Sequence, residues 1–280
     1  LPFHEWIIAD QREKFLGDIR GNHKIEFNHP WFEQNGFPKT LELIVDFTRL
    51  CIEGETTANL LLNQEDNEFN KLTPQELLGS VIVLLDIGAY TTEIIGKQYV
   101  EVVHDEEDLF GDKELEVEHQ TLPTLSDGIR RGIGHVMEAT IDTVTQKNQK
   151  EDKIIRKDIE IALSSKGERN GKRGYIAGSD LNILEDFTEH ARDYADYIAQ
   201  KVENIYNKNE SKGKIKRIYV TGGGSQIPVV IEQLKKALAN DDINPEIVMP
   251  IAEPNPVFAN CVGYYLETID QLEEMEETGE

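Results

Sequence analysis

The run Val81-Ile82-Val83-Leu84-Leu85 is apolar at every position, so it reads as a strand buried on both faces. It stops at Asp86-Ile87-Gly88-Ala89-Tyr90-Thr91-Thr92-Glu93. A second strand, Lys216–Thr221, stops at Gly222-Gly223-Gly224-Ser225, and a helix over Gln226–Leu238 follows. Leu184, Phe187, Ala191, Tyr194, Ile198, Val202 and Ile205 recur at steps of three and four. That stripe predicts the longest helix, over Leu181–Tyr206. Ile129, Ile133, Val136, Met137, Thr140, Ile141 and Val144 predict another, running from a Ser126 cap to Lys147. Thr73-Pro74-Gln75-Glu76 spells a capping box with proline in the first turn, so a short helix opens there.

Shorter patterns fill in the rest. Asp10–Leu16, Thr56–Leu62 and Ile155–Leu163 predict helices, as does Val257–Gln271, which gives way to the acidic tail Glu273–Glu280. His23–Phe27, Leu41–Cys51 and Glu246–Met249 predict strands. Thr92–Ile95 and Tyr99–His104 predict two antiparallel strands, turned at Gly96-Lys97.

Composition narrows the function. The chain has 280 residues, room for one large or two ordinary domains, and 39% of them are hydrophobic. With 53 acidic and 29 basic residues the formal net charge is −24. Such a surface repels nucleic acid and anionic lipid, so no direct contact with nucleic acid or membrane is expected, and a basic partner would have to touch any DNA. The basic group Lys166, Arg169, Lys172 and Arg173 reads as a solvated turn. Cys51 and Cys261 make no disulfide framework, which fits a reducing, cytoplasmic location. The histidines are scattered and no CxxC occurs, so no structural zinc is expected. The longest apolar run, Val81–Leu85, is far short of a membrane span, and no secretory leader is legible.

The two loops carry the chemistry. Asp86, at the end of a buried strand, can hold Mg²⁺ through water, since Mg²⁺ keeps much of its hydration shell. Gly88 lets the backbone approach phosphate oxygens, and successive N–H groups make an anion nest. Thr91 and Thr92 can add hydroxyls. Alone, this loop also fits an ordinary hairpin turn. Gly222-Gly223-Gly224 is costly inside regular structure and useful where a ligand approaches closely, with Ser225 expected to cap the following helix. It is neither a Walker loop nor GxGxxG, and alone it also fits a tight strand-to-helix connection. The pair of loops together points to ATP.

Asp86–Glu93 resembles the second phosphate loop of the actin-like ATPase superfamily, and Ile218–Pro228 resembles its adenosine loop. Leu1-Pro2, Arg12-Glu13-Lys14 and Gly21-Asn22-His23-Lys24-Ile25 are similar to the first domain of the bacterial plasmid-segregation actins, the ParM type. Ile52-Glu53-Gly54 is similar to their connecting element, with isoleucine in place of the usual proline. Val257–Tyr265 is similar to the start of their closing helix.

The resemblance implies an α/β, actin-like (ribonuclease H-like) two-domain fold with mixed sheets flanked by helices. Residues 1–80 would belong to the first domain. Residues 81–256 would form the second, with a small helical subdomain near 148–180. The closing helix and acidic tail, 257–280, would return to the first. The family's first phosphate loop would precede Leu1, so the first domain is expected to be incomplete at its N-terminus and the chain to be a fragment. ATP or ADP would bind between the domains with Mg²⁺. Asp86 would be the metal-linked carboxylate, and Glu53, with Glu55 as its rival, would position the attacking water. Gly88, Ala89, Tyr90 and Thr91 would hold phosphate. Gly222, Gly223, Gly224 and Ser225 would border adenosine. The implied function is an ATPase that polymerises with itself and segregates plasmid DNA through a DNA-binding adaptor of the ParR type. The alternatives are a non-polymerising nucleotide-binding scaffold and a small-molecule kinase.

Overall fold

The computed structural model describes residues 3–26, 30–36, 38–45, 54–64, 67–102, 115–148, 154–208, 215–239 and 244–278. The chain divides into two compact units, Leu1–Ile52 and Glu53–Glu280.

The first unit contains α1 (Phe3–Trp6), α2 (Ala9–Ile19), β1 (Gly21–Glu26), α3 (Pro30–Gln34) and β2 (Thr40–Val45). β1 and β2 pair antiparallel, from Gly21 opposite Val45 to Glu26 opposite Thr40. None of this unit's residues whose side chains are described is buried. The strand expectations at Phe27 and at 46–51 fall outside the described residues.

The second unit begins with α4 (Glu55–Leu62) and α5 (Pro74–Leu77). Thr73 and Glu76 form the expected capping box: Glu76 N–H donates to the Thr73 hydroxyl oxygen at 3.4 Å, and Thr73 N–H to the Glu76 carboxylate at 2.8 Å. Then come β3 (Val81–Ile87), β4 (Thr92–Glu101), β5 (Val117–Thr121), β6 (Asp127–Ile129), α6 (Ile133–Asn148), α7 (Arg156–Leu163) and α8 (Leu184–Lys208). β7 (Ile215–Thr221), α9 (Pro228–Leu238), β8 (Val248–Pro250) and α10 (Ala259–Thr278) complete it.

The strands form one mixed sheet in the order β5-β4-β3-β7-β8, with β6 paired to β4. β3 and β4 are antiparallel, whereas β3, β7 and β8 run parallel. All seven residues of β3 are buried, as an unbroken apolar run requires. Val81, Val83, Leu85 and Ile87 join the main core with Phe187, Ala191, Tyr194, Ile198 and Val202 of α8. Ile82 joins a smaller cluster with Leu62, Phe69, Leu77 and Tyr99. By alternation Leu84 and Asp86 share the Ile82 face.

Four expectations are corrected. Gly96-Lys97 is no turn: β4 runs through it without a break. Gly96 is bare because a Cβ there would stand 2.4 Å from Leu125 Cβ, so the glycine marks a close approach. Ser126 caps no helix; it accepts the Gly96 N–H at 3.1 Å and donates to Leu122 O at 3.0 Å, and α6 starts only at Ile133. Ser225 does not cap α9, whose N-cap is Ile227 without a side-chain bond. The closing helix runs on to Thr278, because its glutamates are good helix formers.

Candidate functional site

The Asp86 and triple-glycine loops leave adjacent parallel strands at the same end of the sheet, since Asp86 and Thr221 are register partners. In an open α/β sheet the carboxyl ends of parallel strands are where ligands bind.

The first loop is a tight turn closed by Gly88 N–H donating to Thr91 O at 2.9 Å. Its carbonyls are spent on α6: Ile133 N–H donates to Gly88 O at 3.0 Å and Gly134 N–H to Ala89 O at 2.7 Å. A trans peptide points its N–H opposite to its carbonyl. The N–H groups of Ala89 and Tyr90 therefore point away from α6, and neither has a hydrogen-bond partner among the described residues. Two further glycines permit this contact. A Cβ on Gly132 would lie 2.4 Å from Gly88 O, and one on Gly134 2.6 Å from Ala89 O.

Tyr90 is exposed and is held from α7: Arg156 donates to its hydroxyl oxygen at 2.8 Å and lies over its ring at 4.9 Å, while also pairing with Glu138 of α6. Thr92 turns inward, donating to Arg131 O at 2.8 Å and bonding the Tyr194 hydroxyl at 2.5 Å. Burial pushes the Tyr194 phenol above its ordinary range, so that hydroxyl stays protonated.

In the second loop the three glycines do different work. Gly222 has φ 79° and ψ 176°, a conformation open essentially to glycine alone. Gly224 packs on β3, where a Cβ would stand 2.2 Å from Ile87 Cγ2. Its chain neighbours apart, a Cβ on Gly223 would meet no atom of the described residues within 4 Å. Ser225 is buried, and its hydroxyl donates to Gly222 O at 2.8 Å, bracing the turn.

Between these loops lies a cavity of about 450 Å³, lined by Ala89, Gly223, Gln226 and residues of α6 and α7 that include Met137, Arg156 and Glu160. It is mostly apolar with a few convergent polar groups, the usual make-up of a small-molecule site.

Asp86 is buried beneath the loops. Its Oδ2 accepts a hydrogen bond of 2.6 Å from Asn260 at the start of α10, and Asn260 Oδ1 accepts one of 2.7 Å from the Thr57 hydroxyl on α4. Glu93 stands opposite Asp86 in the register. Among the described residues no three His, Cys, Asp or Glu side chains converge as a metal site. Glu53 lies outside the described residues. Glu55 is the first residue of α4 and interacts electrostatically with the buried Lys97.

The structure thus brings Asp86, Gly88, Ala89 and Tyr90 together with Gly222 and Gly223, and turns Ser225 inward. Sequence reasoning gave no role to Asn260, Thr57, Gly132, Gly134, Arg156 or Glu160. The readable signal was Gly132-Ile133-Gly134, two glycines where an uninterrupted helix had been expected.

No family model and no curated protein matches this sequence. Solved structures do match. A non-polymerisable quadruple mutant of pCBH ParM superposes with TM-score 0.64 at 18% identity, over 97% of this chain and 67% of that one. A 15-stranded ParM filament from Clostridium botulinum matches with TM-score 0.62 at 19% identity, over 97% of this chain and 65% of that one. The chain has an actin-like fold. An archaeal actin homologue agrees, with TM-score 0.60 at 15% identity, over 93% of this chain and 66% of that one. The actin-like chain spans about two thirds of the length of these proteins. Other matches are the archaeal homologue in complex with ADP, at TM-score 0.52, and Bacillus thuringiensis ParM with AMPPNP or ATP, both at TM-score 0.54. No helix among the described residues is long and apolar enough to cross a membrane.

Proposed function

We propose that this actin-like chain binds ATP or ADP with Mg²⁺, hydrolyses ATP, and polymerises with itself to segregate plasmid DNA through a basic, ParR-type adaptor. The observation that carries the reading is Gly223. Its neighbours Gly222 and Gly224 are required by the protein's own packing, whereas Gly223 has open space before it and borders the cavity. A ligand lying against it would account for the third glycine.

The residues fit a nucleotide. The cavity accommodates a base and ribose beside Gly223, with Arg156, Glu160 and Gln226 as its polar walls. The outward N–H groups of Ala89 and Tyr90 donate to phosphate oxygens, and Thr91 adds a hydroxyl. Asp86, with Glu93 opposite it, is too small a carboxylate set for a protein cage and suits Mg²⁺ held through water and phosphate oxygens. The metal would screen phosphate charge and fix its orientation; Glu53 would orient the attacking water. In this reading residues 1–80 belong to the first actin-like domain and 81–256 to the second, with α10 returning to α4, on which it packs.

Assembly is the second part of the proposal. Copies that each carry −24 repel one another, so filaments should need salt or divalent cations as well as nucleotide. Sedimentation with ATP–Mg²⁺, ADP–Mg²⁺ and no nucleotide tests it. Pelleting that depends on ATP–Mg²⁺ is expected. Nucleotide binding without pelleting in any state would overturn the filament and favour a scaffold or a kinase.

A further inference from the structure

We propose that Asn260 is a positioning residue for the nucleotide-linked metal, acting through Asp86 and itself fixed by Thr57. The inference rests on the nucleotide reading above and adds a part that reading does not contain.

A carboxylate at a strand end can rotate about its last torsion, and a metal held through water needs its oxygens fixed. Here one oxygen is taken. Asn260 Nδ2 donates to Asp86 Oδ2 at 2.6 Å. The other oxygen, Oδ1, faces the second loop, where a Cβ on Gly222 would approach within 2.5 Å. The amide could present either end to Asp86, and only its NH₂ end can donate to a carboxylate. The carboxylate, which only accepts, therefore takes Nδ2, and the Thr57 hydroxyl, able to donate or accept, donates to the remaining Asn260 Oδ1 at 2.7 Å and holds the amide from its other end. Thr57 is fully buried.

The backbone around this relay is built for closeness. Gly54, the N-cap of α4, has φ 86°, and a Cβ there would lie 3.7 Å from Asp86 Cβ. Gly263, one turn beyond Asn260 on α10, crosses α4 where a Cβ would stand 2.9 Å from Thr57 N. The packing of α4 on α10 therefore sets where Asn260 stands, and Asn260 sets how Asp86 is turned. On loss of Asn260, Asp86 loses the donor that holds Oδ2. Partners that orient metal-linked groups typically change metal affinity by about 10–100-fold when removed.

The test is titration of Mg²⁺ into the full chain with a fluorescent ADP analogue, for the unsubstituted protein, Asn260→Ala, Asn260→Asp and Thr57→Val, with parallel binding in EDTA and thermal melts. Asn260→Ala should raise the Mg²⁺ concentration for half-maximal binding about tenfold or more, while binding in EDTA stays within about twofold. Thr57→Val should shift it in the same direction by less. Asn260→Asp keeps the shape but removes the amide donor, so it should shift the Mg²⁺ dependence in the same direction as Asn260→Ala. A role in folding alone would lower the melting temperature and weaken EDTA binding equally. That result, or an unchanged Mg²⁺ dependence in Asn260→Ala, overturns this inference and leaves the nucleotide reading standing. No nucleotide binding by the unsubstituted chain overturns both.

Discussion

Gly222 and Asp86 lock the ends of two parallel strands together: a Cβ on the glycine would stand 2.5 Å from Oδ1 of the carboxylate and 2.5 Å from the Ile87 carbonyl oxygen. The contact is possible only because Gly222 adopts φ 79° with ψ 176°. Gly222→Ala should therefore lose about 1–3 kcal/mol from backbone strain alone, with the clash adding to it. A chemical-denaturation midpoint measures the loss, and nucleotide affinity should fall with it.

Gly223 and Gly224 should separate stability from binding. Gly224→Ala drives a methyl group into Ile87 and should cost about 1–3 kcal/mol of stability. Gly223→Ala has room in the protein and should melt within a few degrees of the unsubstituted chain, yet bind nucleotide at least several-fold more weakly. Melting curves and a nucleotide titration on the two variants check this. Equal effects on both properties would remove the distinction between the glycines.

Gly96 makes a third test, remote from the loops. Its missing side chain admits Leu125, and a Cβ would also lie 2.8 Å from the Tyr206 hydroxyl. Gly96→Ala should destabilise the second unit by about 1–3 kcal/mol through overpacking, seen as a lower denaturation midpoint.

His119 gives the fold an acid limb. Burial, and then the positive charge of Lys97, push its imidazole down to about 4 from an ordinary 6.5. The unfolded chain takes up a proton below 6.5 whereas the folded chain stays neutral to about 4. The contribution is thus complete above 6.5 and is lost progressively as pH falls toward 4. His119→Gln should flatten the dependence of melting temperature on pH across that window. An unchanged slope would show that carboxylates alone set it.

Much of this was legible in the sequence because the signals are local. An unbroken apolar run specified β3, a stripe at helical spacing specified α8, and a capping box specified α5. The two loops were visible as glycines after strands. What was not legible depends on residues distant in the chain. Gly96 looks like a turn until Leu125 is laid over it. Ser126 looks like a helix cap until its hydroxyl meets the backbone of Gly96, and Ser225 until it folds back on Gly222. Asn260 is separated from Asp86 by 174 positions, and no spacing rule reaches that far. The separate duties of Gly222, Gly223 and Gly224 depend on what surrounds each in the fold: Asp86 and Ile87 at Gly222, Ile87 at Gly224, open space at Gly223.

The most direct test of the account is calorimetric titration of ADP–Mg²⁺ into the full chain and into Gly223→Val. The account predicts one saturable site in the former and loss of that site in the latter, with the fold retained. Absence of binding to the chain, or equal binding by the variant, would contradict the assignment of the two loops and their cavity to a nucleotide.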